Sequence, residues 1–209
     1  WQCDSPKKEI SQSTTPVMGL ISQKAMVVSA REEASRIGSE IMQQGGNAFD
    51  AMVATEMALA VCYPNAGNLG GGGFMVYRTH QGEVGALDFR EKAPLRANRD
   101  MFLDENKKYL QDKSKTGGLA VGVPGTIAGM FKAHKKFGSL PMQTILRPVI
   151  LLAKNGFKIT EKQAKQFNDY SGVFKQVNQE NSIYTKKFKP GDVFKNEALA
   201  NTLQQISDK

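Results

Sequence analysis

The chain has 209 residues, 40% of them hydrophobic and 23% charged, a composition that fits one globular domain or a tight pair and excludes a disordered or collagen-like polypeptide. Its 28 Lys and Arg against 20 Asp and Glu give a formal charge of +8, but the lysines fall in small clusters such as Lys107-Lys108 and Lys186-Lys187, with no basic block interleaved with aromatics, which argues against a nucleic-acid partner. No apolar run approaches the roughly 18 residues of a membrane span, and the spacing of Cys3, Cys62, His80 and His134 is not that of a zinc site, so a metal centre is not expected.

Residues 1–18 are polar, rich in Ser, Thr, Lys and Pro, and read as a flexible lead-in to a single, incomplete domain over 19–209. The first residue is Trp1 rather than Met; removal of a secretory signal would explain it and implies a periplasmic or secreted protein. Cys3 lacks the small preceding residue expected of a lipidated cysteine. Ala25–Val28 suits a buried strand, and Ser29 with Glu32 has capping-box spacing, which predicts a helix from Ala30 that stops at Gly45-Gly46. Asn47 and Asp50 predict a second cap, followed by an alanine-rich helix running to just before Pro64.

Gly67 to Gly73 carries five glycines in seven positions, a cost in backbone entropy that implies a tight turn or a close approach. The run lacks both the GxxxxGK[ST] and the GxGxxG spacing of phosphate loops, so the reading is a corner between a helix and a strand. Phe74 to Thr79 and Glu83 to Phe89 alternate around Gln81-Gly82 as an antiparallel hairpin. Leu119 to Val123 is expected as another strand, and Pro124-Gly125 opens a helix reaching Lys136. Ser139 is expected to cap the next helix, which ends at Gly156; Thr160 and Gln163 form a further capping box, and a last helix starts at Glu197. Strands and helices mixed in this way indicate an α+β or α/β layered fold.

The charged cluster Asp88-Phe89-Arg90-Glu91-Lys92 stands where the hairpin leaves the sheet. Arginine there can hold a carboxylate through two parallel charge-assisted hydrogen bonds; the alternative is that Arg90 only pairs with Asp88 or Glu91. Ordinary nucleophilic catalysis has little support: GxSxG is missing, His80 and His134 read as surface residues, and Cys62 ends an apolar helix as a small buried thiol.

Three stretches, Gly45-Gly46-Asn47-Ala48-Phe49-Asp50-Ala51, Pro64 through Met75, and Asp88-Phe89-Arg90-Glu91-Lys92-Ala93-Pro94, together resemble the γ-glutamyltranspeptidase family, in the family's order. The likeness continues through Met101-Phe102-Leu103-Asp104 and Val121 to Gly129 and covers essentially everything after residue 18. It implies part of the αββα sandwich of the N-terminal-nucleophile (Ntn) hydrolases, namely the N-terminal part of the large subunit of a self-cleaving precursor. It also implies γ-glutamyl transfer from glutathione and related compounds to water, amino acids or peptides, through a Thr nucleophile on the small subunit.

On that resemblance no catalytic residue lies in this chain and the fragment alone is inactive. Arg90 matches the arginine that binds the substrate α-carboxylate, and Asp88 and Glu91 are expected to orient it. A buried pairing of that kind is worth about 1.5–3 kcal/mol per charged hydrogen bond. A truncated sandwich should leave apolar sheet faces uncovered. Relatives act on β-lactam side chains and poly-γ-glutamate as well, and Arg90 favours substrates with a free α-carboxylate. The competing reading is a noncatalytic relative that serves as a binding or scaffold module.

Overall fold

The computed structural model describes residues 19–178 and 182–209, and the expected lead-in over 1–18, with Cys3, lies outside them. Helix α1 (Glu32–Gln43) begins later than the Ser29 spacing predicts, with Arg31 in the cap position and no side-chain cap. The reason is competition. The Ser29 hydroxyl donates to the Arg31 carbonyl and meets the Ser35 hydroxyl, both at 2.8 Å. The Arg31 guanidinium is itself held by Glu33, by the side-chain Oε1 of Gln163 and by the face of Phe157.

Helix α2 (Ala48–Cys62) starts as its sequence dictates. The Asn47 side chain accepts from the backbone of Phe49 and Asp50, and the Asp50 carboxylate accepts from the Asn47 N–H at 2.9 Å. Its residues are mostly apolar, and α1, α3 (Thr126–Phe137) and α4 (Met142–Asn155) all pack on it. Val53, Ala54, Met57, Ala58 and Val61 are therefore buried. Its small alanines let neighbouring backbones approach, and Ile145, Leu146 and Val149 of α4 complete the core.

Ser139 does not cap α4. Its hydroxyl and its N–H both donate to Asp50, and the helix starts beyond Pro141. Asp50, fully buried, thus ties the amino end of α2 to the α3–α4 connection. α4 carries Pro148 in its interior and ends at Gly156, whose φ of 83° is the left-handed geometry that favours glycine.

Strands β1 (Phe74–Arg78) and β2 (Val84–Asp88) pair antiparallel, with Phe74 opposite Asp88 and Val76 opposite Ala86. Gly82, at φ 90°, makes the turn. Alternation divides the ribbon. Met75 and Tyr77 face inward, where Tyr77 meets the rings of Phe49 and Phe137, while Phe74, Val76 and Val84 are 66%, 84% and 70% exposed. An uncovered apolar sheet face is therefore present.

Two expected strands do not form. Ala25–Val28 has no strand partner among the described residues, and Val28 is exposed. Leu119–Val123 is a 3-10 turn over Gly118–Ala120 followed by a single bridge between Val123 and Lys92. Gly117, at φ 94°, turns the chain before a strand can start.

The C-terminal third adds a ribbon that the sequence pattern is too short to reveal, β3 (Phe157–Lys158) with β4 (Val193–Phe194). Helix α5 (Glu161–Asn178) opens on the Thr160–Gln163 box. Buried Gln163 also donates to the Cys62 carbonyl at 2.8 Å, which joins α5 to the end of α2. Phe167, Tyr184, Phe188 and Phe194 stack between these pieces. Helix α6 (Glu197–Ser207), capped by Asn196, closes over α4. The fold is α+β, with helices dominating and strands in two short antiparallel ribbons among the described residues. None of the described helices is long and apolar enough to cross a membrane.

Candidate active site

Where β2 ends, the hairpin ladder runs one pair further, with the Phe89 N–H donating to the Gly73 carbonyl at 3.0 Å. The chain then turns at Arg90 and Glu91 and bridges from Lys92 to Val123. The carbonyl of Gly71 accepts from the N–H groups of Gly125 and Thr126, at 2.8 and 3.0 Å. The glycine run and the entry to α3 therefore grip the Arg90 turn from two sides.

Close approach explains the glycines. A Cβ on Gly72 would lie 2.6 Å from the Phe89 carbonyl oxygen and 2.8 Å from the Arg90 Cα. One on Gly125 would fall onto that same carbonyl, and one on Gly129 onto the Phe89 ring. Contacts under 3 Å force backbone or a packed ring to move, so these positions exclude side chains. The corner reading of the glycine run is correct, and within it Gly72 seats the turn that carries Arg90. Gly125 and Gly129 stand in a quoted motif, but their role is invisible without the fold.

Asp88, Arg90 and Glu91 are brought together. The Asp88 carboxylate accepts from the Arg90 backbone N–H at 2.9 Å, and Glu91 takes the Arg90 Nε at 3.2 Å. The guanidinium lies over Phe74, 5.7 Å from the ring centre. The side chain of Arg90 is 60% exposed in this chain. Neither terminal nitrogen of Arg90 has a hydrogen-bond partner among the described residues. With Nε anchored, Nη1 and Nη2 form a free fork, the geometry that takes a carboxylate end-on.

Arg90 also lines a cleft of about 500 Å³, together with Asp88, Lys92, Gly125, Ala128 and Lys132 among others. Lys132 was not singled out from the sequence; its spacing of three and four from Gly129 and Ala128 on a helix is the signal that would have found it. A second cleft, lined by Pro64, Phe167, Tyr170, Phe174 and Tyr184, is apolar and holds no carboxylate, amine or imidazole.

The other reactive groups stand apart. Cys62 is fully buried, and burial, with the Glu33 charge adding to it, pushes its thiol up to about 11; it is no nucleophile at neutral pH. His80 is exposed at the hairpin tip. His134 is only partly exposed and its Nε2 meets the Leu140 carbonyl at 2.7 Å, which corrects the surface reading of that residue.

Comparison with known proteins bears on the chain as a whole. The family model described as "Gamma-glutamyltranspeptidase" matches residues 34–209. The glutathione hydrolase proenzyme of Escherichia coli is 42% identical over 191 residues, covering 89% of this chain and 33% of the relative; that of Bacillus subtilis is 38% identical over 193 residues, covering 90% and 33%. The chain thus spans about a third of the length of these curated relatives. Among solved structures, the γ-glutamyltranspeptidase of Helicobacter pylori superposes with a TM-score of 0.86 at 40% identity, over 91% of this chain and 56% of that one. The Pseudomonas nitroreducens enzyme, complexed with L-DON, gives 0.83 at 40%, over 88% and 55%. With the motifs, the fold and the family match over most of its length in agreement, this chain belongs to the γ-glutamyltranspeptidase family.

Proposed function

We propose that this chain is the N-terminal part of the large subunit of a γ-glutamyltransferase and glutathione hydrolase, and that Arg90 binds the α-carboxylate of the γ-glutamyl group. The observation that carries the reading is the free Nη fork of Arg90, anchored through Nε by Glu91 on a residue that lines a cleft, in a chain of this family. Asp88 fixes the backbone of the turn and Glu91 fixes the guanidinium, so both act as positioning residues.

The nucleophile in this reading is a Thr at the start of a small subunit cut from the same precursor. Its hydroxyl attacks the γ-amide carbonyl while its own α-amine takes the proton, the amine of the leaving group departs with a proton, and water or an acceptor amine resolves the ester. This chain contributes the carboxylate grip that sets the amide against that hydroxyl, and it needs no cofactor. An exported location, periplasmic or extracellular, belongs to the same reading.

The test compares the polypeptide expressed from its complete reading frame with residues 1–209 alone, by intact mass and by turnover of glutathione and γ-glutamyl-p-nitroanilide. Two subunits with activity, and a silent 1–209 fragment, are expected. Arg90→Lys keeps the charge and loses the fork, and should raise KM about tenfold or more, the equivalent of one charged hydrogen bond; Glu91→Ala should raise KM by less. An unprocessed product without turnover would point to a noncatalytic module, and an unchanged KM in Arg90→Lys would remove the assignment of that residue.

A further inference from the structure

The Arg90 cleft is lined by two further cations besides the arginine assigned to the α-carboxylate. Its walls bring together three cations, Arg90, Lys92 and Lys132, and two carboxylates, Asp88 and Glu91. Both carboxylates are already used by the Arg90 turn. The ammonium groups of Lys92 and Lys132 have neither an ion-pair nor a hydrogen-bond partner among the described residues.

Their convergence comes from the fold. Lys92 is set by the bridge that ties its backbone to Val123. Lys132 is on α3 one turn beyond Ala128 and Gly129, and because those positions lie three and four residues before it, all three share the helix face that lines the cleft. Pro124 and Gly125, at the amino end of α3, line the same space. At about 500 Å³ the cleft is in the range of roughly 300–1,000 Å³ that small-molecule sites occupy.

We propose that Lys132, with Lys92 beside it, makes this cleft select γ-glutamyl donors whose leaving group ends in a second carboxylate, that is, γ-glutamyl peptides with a free C-terminus. The inference rests on the γ-glutamyl reading above: Arg90 takes the α-carboxylate and the lysines take the far one. Donors with a neutral leaving group engage Arg90 alone. Both lysines are exposed, so the selection is moderate and salt-sensitive, of the size of a solvated charge pair.

The experiment uses the polypeptide from the complete reading frame with two donors, glutathione and its glycinamide form, which differ only in the terminal charge. At low ionic strength the ratio of kcat/KM for acid over amide should be about two- to fivefold in favour of the acid. It should fall to one in Lys132→Gln, persist in Lys132→Arg and shrink as salt is added. A ratio of one in the unaltered protein, or a ratio unchanged by Lys132→Gln and by Lys92→Gln, would overturn the proposal while leaving the γ-glutamyl reading intact. Failure to turn over either donor would instead count against that reading, and the proposal would fall with it.

Discussion

Replacing Asp50 by Asn is the most direct test of how the motif Gly45 to Ala51 builds the fold. Asp50 is fully buried. Its carboxylate accepts from the Asn47 N–H at 2.9 Å, the Ser139 N–H at 3.0 Å and the Ser139 hydroxyl. Asparagine has the same shape, but it turns one acceptor oxygen into a donor that faces N–H and O–H donors. At least one buried donor is then stranded, at about 1–3 kcal/mol, and the remaining bonds lose their charge-assisted share. The expected total is about 2–4 kcal/mol.

Urea unfolding followed by far-UV circular dichroism, with the slope m held constant, reads that loss as a fall in the midpoint. Ser139→Ala alone should cost about 1 kcal/mol, and in the double variant the two losses should fall short of their sum because the hydroxyl and the carboxylate share one bond. A loss below about 0.5 kcal/mol for Asp50→Asn, the level of an ordinary surface change, would refute the role given to this carboxylate.

Gly129→Val should cost about 1–3 kcal/mol by overpacking Phe89 and should also raise the substrate KM, since it moves the turn that carries Arg90; unfolding and kinetics measured on the same variant separate the two effects. Cys62, in a Cys3→Ser background, should resist thiol reagents at pH 8 while folded and react on unfolding. Because its thiol is raised from 9.0 to about 11, its contribution to stability is full below the unfolded value and is lost as pH climbs from there through the folded one; Cys62→Ala should flatten that alkaline slope. Burial raises the carboxyl of Glu56 as well, so its contribution is present at acid pH and is lost as pH rises through the folded value; Glu56→Gln should therefore raise stability at neutral pH, and denaturant midpoints across pH check the sign.

Local chemistry wrote much of the helical layer into the sequence. Asn47 with Asp50, Thr160 with Gln163 and the stop at Gly156 are caps made by residues within a few positions of one another, so they form wherever the chain goes. The alanines of α2 likewise announce close packing against another layer. The hairpin of Phe74 to Asp88 was legible because alternation and a glycine turn are enough to set its register. Asp88, Arg90 and Glu91 were legible as a cluster because they are neighbours in the chain.

What the tertiary structure alone decided are the places where distant groups compete for the same partner or the same space. Ser139 has the chemistry of a helix cap, but the buried Asp50, 89 residues away, claims its hydroxyl. Ala25–Val28 has the composition of a strand and no neighbour to pair with among the described residues. Gly72, Gly125 and Gly129 are glycines because Phe89 and Arg90, distant in sequence from the last two, occupy the volume a side chain would need. Lys132 enters the Arg90 cleft because α3 packs beside the hairpin. Sequence spacing fixes contacts within a turn or a ribbon, whereas exclusion of volume and the sharing of one buried acceptor depend on where the whole chain has gone.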